Sequence, residues 1–76
     1  MKFYIKHSMT GRLRVHMDMK HMSFKQADIL EYYIKNIETV TSVKVYEKTC
    51  DAVIEFKGDK AQIINELKHF TYSQVA

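Results

Sequence analysis

The run Gly-Arg-Leu-Arg-Val-His-Met at residues 11–17 constrains the fold more than any other stretch of the chain. It alternates Arg12, Arg14 and His16 with Leu13, Val15 and Met17. Successive side chains of a strand point to opposite faces, so a period of two leaves one set for a core and the other for an open surface. The run is therefore expected to be an interior strand. The residues before it repeat the pattern, with Phe3 and Ile5 alternating with Lys2, Tyr4 and Lys6. Ser8-Met9-Thr10 is short enough for a hairpin that tightens at Gly11.

A change of period follows. Ser23 with Gln26 has the spacing of a capping box, and Ala27, Leu30, Ile34 and Ile37 then share one side at helical intervals. The first helix is expected over residues 23–37, with Lys25, Asp28, Glu31, Lys35 and Asn36 facing water. Alternation returns over residues 41–47 with Val43 and Val45, then again where Ala52, Ile54 and Phe56 share a face. The polar segment Lys48-Thr49-Cys50-Asp51 between them reads as a turn, making these two strands a second hairpin. Gly58 ends the last strand. Asp59 with Gln62 repeats the capping pattern, and Ile63, Ile64, Leu67 and Phe70 give the second helix its apolar stripe. Residues 71–76 read equally as a short edge strand or a frayed end.

The order is a strand or hairpin, a helix, two strands and a helix, with a further strand at the end left open. Two helices that are each apolar on one side, with a sheet apolar on one face, pack most economically with both helices on that face. The expected fold is a ferredoxin-like α+β sandwich with an antiparallel sheet. Its core would hold Leu13, Val15, Leu30, Ile34, Val43, Val45, Ile54, Ile63 and Leu67. Its open face would carry Arg12, Arg14, His16, Lys44, Tyr46, Val53, Glu55 and Lys57. In this fold the last strand normally pairs with the first, and residues 2–7 are expected to compete for that edge or to take it.

Size and composition narrow the function. Seventy-six residues allow one domain of two layers. The lone Cys50 cannot form an internal disulfide, no apolar run approaches a membrane span, and residues 1–16 lack a signal-peptide core. A cytosolic or cytosol-facing domain is the expectation. No nucleophile stands next to a base and no glycine-rich phosphate loop is present, so the chain is not expected to be an enzyme.

Ile5-Lys6-His7 followed by Gly11-Arg12-Leu13-Arg14, the capped helix, the run at residues 40–46, the strand at 52–56 and the closing helix carry a resemblance. Together they resemble the heavy-metal-associated domains at the amino terminus of P-type metal-transporting ATPases. The resemblance covers nearly all of residues 1–76. It is nearest to the divergent branch without Cys-x-x-Cys whose start reads His-x-x-x-Gly-Arg-x-Arg, here His7 to Arg14. The better known branch holds soft metals with two thiolates in the first loop. Aligning Met9-Thr10 with that branch's Met-Thr-Cys-x-x-Cys puts Gly11 and Arg14 at the cysteine positions. In the register preferred here the loop is Asp18-Met19-Lys20-His21-Met22, with imidazole and thioether groups only. The Gly-Val usual after the first helix is Thr39-Val40, and the Thr-Gly usual in the second hairpin is Thr49-Cys50.

The resemblance implies a cytosolic accessory domain of a heavy-metal-translocating ATPase, regulatory or metal-sensing, whose partners are the other cytosolic domains of the parent transporter. His21, Met19, Met22, His7 and His16 are the candidate metal ligands. Without thiolates, any binding of Cu(I) or Zn(II) is expected to be weak, and no cofactor is required for folding. Arg12 and Arg14, on one side of one strand, are the candidate docking face for carboxylates or phosphates. The competing reading is a stand-alone RNA-binding module using the same open face. Against nucleic acid stand the missing pair of aromatics at alternate positions of the central strands and a net charge of only +3.

Overall fold

The computed structural model describes residues 1–75. It contains β1 (Phe3–Met9), β2 (Arg12–Met17), α1 (Phe24–Lys35), β3 (Val40–Tyr46), β4 (Asp51–Phe56) and α2 (Lys60–His69), followed by a 3-10 turn at Tyr72–Val75. The strands form one antiparallel sheet in the order β1-β2-β4-β3. Leu13, Val15 and Met17 of β2 and Ala52, Ile54 and Phe56 of β4 share a core with Ala27, Leu30 and Ile34 of α1 and Ile63 and Leu67 of α2. The fold is the ferredoxin-like α+β sandwich, with the helices on the apolar face of the sheet.

Local chemistry sets the element ends. Ser23 Oγ accepts from Gln26 N at 3.0 Å, and Gln26 Oε1 accepts from Ser23 N at 2.9 Å, which closes the capping box of α1. At α2 the expected box is not formed: Asp59 Oδ1 accepts from Ala61 N at 2.9 Å, and Gln62 takes no part. The first hairpin turns through Thr10 and Gly11, and Gly11 has a φ of +76°, a conformation that a side chain disfavours. The second turns through residues 47–50, where Cys50 occupies the left-handed region with a φ of +59° and buries its side chain.

β1 holds the edge beside β2, the place a final strand takes in the usual form of this fold. Residues 72–75 form a turn instead, and Ala76 lies outside the described residues. The amino terminus is fastened to the end of α2: the Met1 ammonium donates to Lys68 O at 3.0 Å and to Phe70 O at 2.8 Å. Three core assignments change. Val43, expected inside, is only partly buried because β3 is an edge strand, whereas Met22 and Phe70 are fully packed.

Candidate functional site

The outward side of the sheet is built from β2 and β4. Their register sets His16 opposite Asp51, Arg14 opposite Val53 and Arg12 opposite Glu55. Asp51 was expected in the turn, but it is the first residue of β4 and is completely buried. Alternation explains its position: if residues 52, 54 and 56 face the core, residue 51 faces the same way as 53 and 55.

Three side chains cover its carboxylate. Oδ2 accepts from Lys6 Nζ at 3.0 Å and from Arg14 Nε and Nη2 at 3.1 and 2.9 Å. Oδ1 lies 2.7 Å from His16 Nδ1. An ionised carboxylate only accepts, so that ring nitrogen carries the proton. Burial by itself would raise the Asp51 pKa, but the hydrogen bonds from His16, Lys6 and Arg14, and the charge of Lys6, outweigh it and lower the value to about 2.

Lys6 reaches this carboxylate through an irregularity. The β1–β2 register shifts between Ile5 and His7, leaving Lys6 as the extra residue of a bulge. Its side chain spans β2 to meet β4. Aromatic rings flank the cluster. Tyr4 stacks on His16 with ring centroids 4.9 Å apart, and the Arg14 guanidinium lies 5.8 Å from the centre of the Tyr46 ring, which Lys44 also approaches at 5.7 Å.

The hairpin end of the same face is open. A hollow of about 590 Å³ is lined by Lys6, His7, Met9, Arg12, Arg14 and Val53. Among the described residues Arg12 forms no ion pair, although Glu55 is its register partner. The hollow thus offers a free guanidinium and an imidazole beside two cations already shared with Asp51, a surface suited to carboxylate or phosphate oxygens.

The candidate metal ligands are dispersed. Met22 is in the core, Met19 packs against it and His21 is exposed. His16 bonds to Asp51, and His7 lies opposite Arg14 in the cationic hollow, where a metal ion would meet like charge. Among the described residues no group of three or more His, Cys, Asp or Glu side chains is placed to hold a metal ion. Cys50 is buried; burial first, then the charge of Asp51, pushes its thiol pKa up. Arg12 and Arg14, the residues expected to form a docking face, do share the open face, but Arg14 is paired with Asp51 and Arg12 is not.

Asp51, Lys6 and Tyr4 were absent from the site expected from sequence. Asp51 could have been found by continuing the alternation of β4 one step back. Nothing in the sequence marks the bulge that brings Lys6 across. The fold and this face together define a ferredoxin-like domain whose open sheet face carries a cationic hollow beside a buried carboxylate. Compared with known proteins, the chain matches no family model, no curated protein and no solved structure. Among the described residues no helix is long and apolar enough to cross a membrane.

Proposed function

We propose that the domain is a non-catalytic regulatory module of a heavy-metal-translocating P-type ATPase, which docks through its open sheet face on an acidic surface of the transporter's other cytosolic domains. The observation that carries this reading is the division of labour among the cations. Lys6 and Arg14 are held by Asp51, which fixes the surface, while Arg12 is left free over an open hollow. A preorganised surface with an unspent guanidinium is what recognition of a carboxylate requires. The first loop carries no thiolate pair, so the two-thiolate site that soft-metal delivery uses in the better known branch is missing there. The link to metal transport rests on the His7 to Arg14 motif.

The test is the protein encoded by the full reading frame. Metal-stimulated ATP hydrolysis should change its metal dependence when residues 1–76 are deleted, and Arg12→Glu should reproduce that change without unfolding the domain. A reading frame without the aspartyl-phosphate motif, or an activity indifferent to both changes, overturns the proposal. Tyr4, His16 and Tyr46 on the same face favour one competing reading, base stacking with single-stranded RNA. Salt-dependent binding of an RNA oligomer that perturbs these rings would establish that reading instead.

A further inference from the structure

The two edges of the sheet differ. At β3 the main chain is engaged, since Val45 N–H donates to Glu31 Oε1 at 3.1 Å. At β1, among the described residues, no partner bonds the outward backbone groups. Asp18 N donates to Lys2 O at 2.9 Å, which sets the parity of the strand: Lys2 and Tyr4 turn their peptide groups toward β2, and Phe3 and Ile5 turn theirs outward. Charged side chains often guard such an edge. Here the strand's central lysine, Lys6, is drawn onto the open face by Asp51.

Beside this edge lies a groove of about 410 Å³ between β1 and α2. Its floor is formed by Phe3, Ile5 and Ile64, and Lys2 and Lys68 stand among its lining residues. Ile5 remains 43% exposed despite its place on the helix side of the sheet. An outward-facing pair of peptide groups next to an apolar groove is the arrangement by which a sheet accepts an added strand.

We propose that the β1 edge and this groove form a docking site for a short extended segment of a partner protein in which apolar residues alternate with acidic ones. Main-chain bonds to Phe3 and Ile5 would align the segment, its apolar side chains would cover Ile5 and Ile64 on the helix side, and its carboxylates, on the other face of the added strand, would meet Lys2. The charge decides the occupant. A second copy of this chain, with a net charge of +3 and the same lysines beside its own edge, would bring like charges together. The bulge at Lys6 ends the regular edge, so the segment engages only the first part of β1.

The experiment is a titration of isotope-labelled residues 1–76 with a synthetic peptide alternating valine with glutamate. The expected result is amide shifts centred on Phe3 and Ile5 and methyl shifts at Ile64, with little change at Arg12. N-methylation of the peptide amides that face the edge should weaken binding about tenfold or more. Lys2→Glu, an exposed change, should weaken the glutamate peptide and favour its lysine counterpart. Shifts confined to Arg12 and His7, no shift at all, equal binding of glutamate and lysine peptides, or self-association of the free domain in sedimentation would each overturn the proposal. Because this edge is separate from the open face, its failure leaves the docking role of Arg12 untouched.

Discussion

Arg12 and Arg14 are two residues apart on one strand and point the same way, yet they live in opposite circumstances. Arg14 gives two hydrogen bonds to Asp51 and lies over Tyr46. Arg12 faces an open hollow without an ion pair. One end of the sheet face is a cluster of cations paired with a buried carboxylate, and the other is an unspent cationic surface. Residue type therefore does not decide whether a charge stabilises or recognises. The decision lies in whether a carboxylate has been buried within its reach, and on this face the buried one is Asp51.

The opposite face of the sheet sets the energetic scale against which the cluster is judged. Ile54 is fully buried between β2 and β3, and truncation to alanine should cost about 2–5 kcal/mol in chemical denaturation. A loss below about 1 kcal/mol, well under that range, would mean that the apolar face is not what holds the sheet.

Within the cluster, Asp51→Ala should cost about 2 kcal/mol, because it strips three side chains of the acceptor of their four hydrogen bonds. The cost stays below that of breaking a wholly buried pair, since the Lys6 and Arg14 side chains are about two-fifths exposed and recover hydration. Equal stability of wild type and Asp51→Ala would erase the distinction between the two ends of the face.

Acid should make the same distinction without mutation. The Asp51 carboxyl sits at about 2 in the folded chain against an ordinary 3.8. Its contribution is complete above the ordinary value and is lost as pH falls through about 2, with a size of about 1 kcal/mol after allowance for the exposure of its partners. Stability measured from pH 5 to pH 2 (about one unit above and well below the ordinary carboxyl value) should fall more steeply for wild type than for Asp51→Asn. Parallel curves would deny the cluster its role.

The smallest effects separate the two arginines directly. Arg14→Ala should destabilise by about 1 kcal/mol, whereas Arg12→Ala should stay within about 0.5 kcal/mol. If the two losses are equal, the comparison fails. If Arg12→Ala also weakens docking to an acidic partner, it sharpens.

Much of this architecture could be read from residue patterns. The Ser23 and Gln26 box, the 2-residue alternation of β2 and β4 and the turn glycine each act within a few residues of sequence. What lay hidden depends on distant partners. The Lys6–Asp51 bond joins residues 45 apart and needs a bulge that no local pattern announces. Asp51 looked like part of a polar turn because Lys48 and Thr49 precede it, and its burial is decided by the strand opposite. Met22 looked like a loop thioether because loops and cores use the same flexible side chain. The hairpin position that usually calls for glycine is filled by Cys50, whose buried thiol shows that packing prevailed there over backbone preference.

The placement of β1 also bears on how the chain reaches its native state. A sheet edge supplied by the last strand must wait until the whole polypeptide is present and then close a loop of nearly the full length. Here the edge is supplied by residues 3–9 pairing with residues 12–17 across a two-residue turn. Contacts between near neighbours form faster than those that close long loops. On a ribosome, half of the sheet could therefore pair before β4 has been synthesised, leaving β4 to complete it by joining β2 when it emerges.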